Sequence, residues 1–241
     1  LIGLESEPRG MSEIHFIGGE KGGIGKSVLS RVLAQYWIDR QTPWRGFDGD
    51  LSHGALVRYY ADFATPLDLE RLEDLDTLLE TAAAEPETRL LIDLAAQSER
   101  PLHAWLASAD VPQLSQELGI RLVLWHIMDE GKDSVTLLER LIGRYGESVE
   151  YVVVLNQGRG ESFELFEQAD VRGHLRRLEI PVITLRDLHR ATMRKIDRLD
   201  KSFWAAAHNE GPPGESLGLM ERQRVKVWLR HAYDELERIG L

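Results

Sequence analysis

At 241 residues, with 43% hydrophobic and 29% charged side chains, the chain has the composition of a globular protein long enough to bury a sheet. It has no cysteine, which excludes a disulfide framework, iron–sulfur ligation and thiolate metal sites, and makes cytoplasm the expected compartment. A net charge of −11 argues against a generally basic nucleic-acid coat, so any DNA contact needs a local patch. No apolar run approaches the ~18 residues of a membrane span. Leu1 to Gly10 read as an upstream or expression-derived leader, with no signal peptide before Met11, and residues 11–241 as one domain.

The first structured run is strand-like, with Ile14, Phe16 and Ile17 around His15. It enters a glycine-rich stretch, Gly18-Gly19-Glu20-Lys21-Gly22-Gly23-Ile24-Gly25-Lys26-Ser27, and a helical run from Val28 to Arg40 follows. Glycines 22, 23 and 25 let the loop curl with its N–H groups inward around a polyphosphate. The helix start adds the positive end of its dipole at the same spot. Lys26 then reaches the β- and γ-phosphates, the Ser27 hydroxyl sits on Mg²⁺, and Gly22 to Val28 form the nucleotide cradle. The usual G-x-x-x-x-G-K-[ST] pattern is incomplete, because Glu20 stands at its first glycine. Strand, loop and helix nevertheless come in the order a triphosphate site requires.

Lys21 lies five residues before Lys26. The resulting K-G-G-x-G-K-[ST] resembles the deviant phosphate loop of the ParA/MinD family of ATPases, many of which also lack a glycine before that first lysine. The resemblance implies a Mg²⁺-dependent ATPase whose ATP-bound form is a homodimer. It implies that Lys21 crosses the dimer interface to the partner's ATP, much as a supplied arginine finger does. The plain alternative is a solvated loop lysine.

Leu29, Val32, Leu33, Tyr36 and Trp37 recur at helical spacing and are read as packing on the sheet. A short strand from Trp44 to Phe47 ends in Asp48-Gly49-Asp50, at the strand end where open α/β sheets place ligands. The resemblance implies that Asp50 serves hydrolysis by positioning the water and that Asp48 supports the metal's waters. An acidic D-G turn is the other reading. Leu51 to Thr65 reads as a switch segment and helix. His53 beside Ser52 lacks a third group and is read as a polar loop histidine. Leu67 to Ala84 reads as an acidic surface helix, or two short ones.

Arg89-Leu90-Leu91-Ile92-Asp93 is a buried-strand run ending in a carboxylate. This is the Walker B pattern, in which Asp93 holds Mg²⁺ through a water. The continuation Leu94-Ala95-Ala96-Gln97 departs from the family and leaves the sensing of γ-phosphate loss open. Ile120 to Met128 is the next strand, with His126 as a hydrogen-bonded core residue. Asp129 to Val135 is a loop entering a helix, without the glycines of a second phosphate loop.

Val149 to Leu155 is the clearest strand and ends at Asn156. The resemblance implies that Asn156 reads the adenine edge. A turn cap before Gly158 and Gly160 is the alternative. Ile180 to Leu185 is the last strand. From Arg172 to Lys201, nine cations stand against Glu179, Asp187, Asp197 and Asp200. ParA-type relatives bind DNA non-specifically through their C-terminal part, which implies a phosphate-backbone patch of Arg186, Arg190, Arg194, Lys195 and Arg198. A salt-bridged helix is the other reading. His208 to Ser216 is a loop. The final helix, Leu217 to Ile239, places Val225, Trp228, Ala232, Leu236 and Ile239 on one face. Its acidic last turns favour core cover over a membrane surface.

Alternating strands and helices predict a doubly wound, mostly parallel α/β sheet with helices on both faces. The resemblance implies an ATPase that positions or partitions a plasmid or other large cargo with an activating adaptor, in the cytoplasm and on the nucleoid where DNA is bound. The stretch from Ile14-His15-Phe16 through Leu33-Ala34-Gln35-Tyr36 also looks like ATPases of plasmid mobilisation and conjugation. Two alternatives stand beside it: an ATP-dependent metabolic synthase of the same superfamily, and a nucleotide-gated binding module with little hydrolysis.

Overall fold

A computed structural model describes residues 12–19, 21–212 and 214–241. Glu20 and the leader therefore lie outside the described residues. Seven strands form the sheet: β1 Glu13–Gly18, β2 Trp44–Asp48, β3 Ala64–Pro66, β4 Arg89–Asp93, β5 Arg121–Met128, β6 Glu150–Asn156 and β7 Val182–Leu185. Every pairing is parallel, in the order β3-β2-β4-β1-β5-β6-β7. The helices are α1 Lys26–Asp39, α2 Ala55–Tyr59, α3 Leu72–Ala84, α4 Glu99–Ser108, α5 Val111–Glu117 and α6 Lys132–Tyr145. They continue as α7 Glu164–Glu167, α8 Val171–Arg177, α9 Arg190–Arg198, α10 Phe203–His208 and α11 Leu219–Arg238.

The two-residue period of the strands divides the interior into two cores. Ile17, Leu91, Val123, Trp125 and Val152 face one side and meet α1, α10 and α11 through Leu33, Trp37, Phe203 and Trp228. Ile14, Phe16, Leu90, Ile92 and Val153 face the other and meet α3, α4, α6 and α8 through Leu75, Trp105, Leu138 and Leu175. A parallel sheet covered on both faces explains why its strands read as continuous apolar runs. The doubly wound α/β architecture is the one expected, with the sheet parallel throughout.

Several boundaries differ from the sequence reading. The stretch from Leu51 to Thr65 contains only the five-residue α2, and the edge strand β3 begins at its end. That strand has three residues and ends in a proline, too short for a period and tolerable only at an edge. The acidic helix starts at Leu72 rather than Leu67. Before it, the Asp68 side chain accepts the Glu70 N–H, and Leu67 N–H bonds the Asp48 carbonyl. The helices α4 and α5, unread in the sequence, carry Pro101 and Pro112 in their first turns, where a missing N–H costs nothing. The long α11 buries Val225, Trp228, Ala232 and Leu236 as its periodicity requires.

Candidate functional site

In the sheet, β1 stands between β4 and β5. The chain leaves β1 toward β2 on one flank and later crosses to β5 on the other, so the carboxyl end of β1 is a topological switch point. The loop from Gly18 to Lys26 occupies that end. Gly19, Gly23 and Gly25 have φ of 135°, 72° and 107°, values L side chains rarely adopt. Gly22, expected to share this role, does not have a positive φ. Gly25 is the N-cap of α1. Ile24 turns inward and anchors the loop in the core, while Lys21, Gly22, Gly23 and Ser27 are exposed and Val28 is half-buried.

Lys26 is buried, and its ammonium lies across the loop, donating to the carbonyls of Gly19 at 2.9 Å and Lys21 at 3.2 Å. Burial lowers its pKa, and the charges of Asp93 and Asp50 oppose that shift. Asp93, at the end of β4, is 3% exposed, and its Oδ1 has no hydrogen-bond partner among the described residues. Burial first, and then the charge of Asp48, push its carboxyl up to about 7; the Ser27 and Ser30 hydroxyls and the Lys26 ammonium pull the other way. An unsatisfied buried acceptor costs about 1–3 kcal/mol, which a cation at that oxygen would offset. Among the described residues, no three histidine or carboxylate side chains gather as a metal cage. A site with Asp93 and the Ser27 hydroxyl nearby fits Mg²⁺, which takes one or two protein ligands and completes its shell with water and phosphate oxygens.

Asp48 and Asp50 are oriented by backbone donors. Asp48 Oδ1 accepts the Asp50 N–H at 3.1 Å, and Oδ2 accepts those of Leu56 and Val57 at 2.7 and 3.2 Å. Its carboxylate thus holds the start of α2. A Cβ on Gly54 would come within 2.7 Å of that oxygen, so only glycine fits. Burial raises the Asp48 pKa and the three N–H groups counter it. The Asp50 Oδ1 accepts the N–H groups of Ser52 and His53 at 3.1 and 2.9 Å.

Lys21 points the other way from Lys26. Its side chain is 44% exposed, and its ammonium pairs with Asp129 at the end of β5. Asp129 also accepts the Ser134 hydroxyl at 2.6 Å and the Gly131 N–H at 3.0 Å. Burial would raise the Asp129 carboxyl, but Lys21, Ser134 and Gly131 together hold it below the usual range. Sequence reasoning passed over Asp129. The available signal was a carboxylate at the carboxyl end of the strand beside β1.

Asn156 ends β6 and is buried. Its Nδ2 donates to the Ile24 carbonyl at 2.7 Å and its Oδ1 accepts the Gly158 N–H at 3.0 Å. Beside it opens a cavity of about 530 Å³ whose lining includes Gly25 and Val28, the arginines 159, 186, 190 and 194, and the carboxylates of Asp187 and Asp197. The basic stretch therefore divides. Three of its arginines border the loop's cavity, Lys195 is paired with Glu221 at 2.7 Å, and Arg198 makes no ion pair among the described residues. Arg159 was not singled out from the sequence.

No family model matches the sequence. The protein TraL of Escherichia coli is 29% identical over 242 residues, spanning 94% of this chain and 98% of TraL. The protein MobD of Acidithiobacillus ferrooxidans is 22% identical over 228 residues, spanning 93% of this chain and 96% of MobD. Among solved structures, the MinD cell division protein of Aquifex aeolicus matches with a TM-score of 0.51 at 14% identity, over 92% of this chain and 97% of MinD. The chain shares the fold of MinD and is similar to TraL and MobD over 94% and 93% of its length. Lys26 and Ser27 from the loop, Asp93 from the end of β4 and Asp50 just after β2 stand at one end of the sheet, with Lys21 on the outer rim. No described helix is long and apolar enough to cross a membrane.

Proposed function

We propose that this chain is a Mg²⁺-dependent ATPase that pairs with a second copy of itself around two nucleotides and separates after slow hydrolysis. The observation that carries this reading is the division of labour on one loop. Lys26 is buried and turned into the loop, whereas Lys21, five residues earlier, is exposed and turned out. A single-chain phosphate site needs only the first. The second suits a group delivered to another chain's triphosphate, where it would offset transition-state charge. Lys26 binds the β- and γ-phosphates, the Gly22 to Val28 backbone cradles them, and Asp50 positions the attacking water. Asp93 and Ser27 would hold Mg²⁺, which when bound neutralises phosphate charge. Asp48, through α2, ties the segment after Asp50 to the strand end.

Full-length likeness to TraL and MobD supports the plasmid mobilisation and conjugation branch that the sequence resembled. In that setting the cycle would position a plasmid or other large assembly, with an adaptor stimulating turnover. Arg190, Arg194 and Arg198 on α9 would supply non-specific contact to DNA phosphates.

Light scattering with Mg²⁺ and either ADP or a non-hydrolysable ATP analogue tests the central step. The expected result is one chain's mass with ADP, twice that mass with the analogue, and no doubling in Lys21→Ala. A single-chain mass under both conditions would overturn the dimer, and an unaltered Lys21→Ala variant would overturn the role of Lys21.

A further inference from the structure

Asn156 stands where the family resemblance implies a base reader, yet the contacts of its amide lie within the chain. We infer that Asn156 is a positioning residue for the phosphate loop, fixing the Ile24–Gly25 peptide from the end of β6. This inference rests on the nucleotide reading above.

Three observations support it. The side chain is 5% exposed, and its donor reaches Ile24 across 132 residues of sequence at 2.7 Å. Its acceptor is taken by Gly158 N–H, which fixes the orientation of the amide group and so which end faces the loop. Its Nδ2 also lies against the α-carbon of Gly25: a Cβ there would come within 2.3 Å of it. Gly25 therefore has to be glycine twice over, for its φ of 107° and for the approach of Asn156.

The consequence follows from peptide geometry. A trans peptide is planar, with its C=O and N–H pointing in opposite directions. Pinning the Ile24 oxygen toward β6 turns the Gly25 N–H away from β6. Gly25 is also the N-cap of α1, so the same bond sets how the loop enters the helix whose first N–H groups receive phosphate. A buried hydrogen bond preorganises a site by removing the cost of ordering it on binding. On this view Asn156 contributes to affinity through the phosphates, whatever base is attached.

Calorimetry with Mg²⁺ and three ligands, ATP, GTP and inorganic tripolyphosphate, separates the possibilities in wild type and Asn156→Ala. The positioning role predicts that the variant, still cooperatively folded without ligand, weakens every ligand the wild type binds by a similar factor, about tenfold for one lost hydrogen bond. Loss confined to ATP, with tripolyphosphate unchanged, would overturn the inference in favour of base reading; so would no change for any ligand. Asn156→Asp provides a second variant should the alanine fail to fold. It keeps the size and the acceptor for Gly158 but places an oxygen against the Ile24 carbonyl, and the same uniform loss is expected. A wild type that binds ATP while these variants behave as base readers sinks only this inference; a wild type that binds no ligand overturns the nucleotide reading and this inference with it.

Discussion

Asp93 combines a buried carboxylate, an oxygen without a partner among the described residues and a pKa pushed up to about 7. Near neutral pH the ligand-free protein therefore holds this group partly protonated. Its folded-state pKa lies above the unfolded value of 3.8, so the stability it contributes is present below that value and is lost as pH rises through about 7. A bound cation requires the ionised form. The affinity for Mg²⁺–nucleotide should accordingly rise with pH through about 7, with proton release visible as a buffer-dependent heat, and Asp93→Asn should flatten that profile and weaken the dependence on Mg²⁺. A wild-type affinity independent of pH between 6 and 8 would count against the metal role. That Lys26, Ser27 and Asp93 stand together at the carboxyl end of the sheet was legible from the order of strand, loop and helix and from the strand run ending in a carboxylate. The turn cap of Asn156 onto Gly158 was one of the two readings offered, but the Asp129 partner of Lys21 and the Ile24 partner of Asn156 were not legible. They lie 108 and 132 residues away, and only folding brings them together.

At the scale of elements, the amino end of the sheet is held by charge where the carboxyl end is held by the loop. Glu13 on β1 accepts from Arg89 on β4 at 2.8 Å and pairs with Arg121 on β5, beside the buried His15. Burial alone would raise the Glu13 carboxyl, but these neighbours bring it down to about 2. Burial also lowers the His15 pKa, so at neutral pH the opposing charge comes from the two arginines. Removing one partner of a buried pair costs about 3–5 kcal/mol. Because Arg89 and Arg121 retain some exposure, Glu13→Gln should cost about 1–2 kcal/mol in urea unfolding. The folded-state pKa is depressed, so this stability is present above 4.5 and lost as pH falls toward about 2. A variant as stable as wild type at pH 7 would show that the three strands do not need the cluster. The long strands and α1 could be read from their apolar runs and helical period. The edge strand β3 and the helices α4 and α5 could not, since β3 is held by pairing to one neighbour and prolines interrupt the pattern of all three, whereas α2 falls inside the expected switch segment and helix.

For the whole molecule, a net charge of −11 coexists with cations gathered on the C-terminal side of the loop. Gly25 and Asn156 line the same cavity as Arg190 and Arg194, so a polyanion on those arginines would lie close to the loop between β1 and α1. The sequence showed the surplus of cations but not its direction, because charge counted along a chain does not say which face of α9 meets the loop. All of these roles depend on one premise, that the loop between β1 and α1 binds a nucleoside triphosphate with Mg²⁺. Titrating ATP with Mg²⁺ into the protein in a calorimeter, beside Lys26→Ala, tests it most directly. Saturable binding in the wild type, absent in the variant, is the predicted result; no heat from the wild type, or equal binding by both, would contradict it.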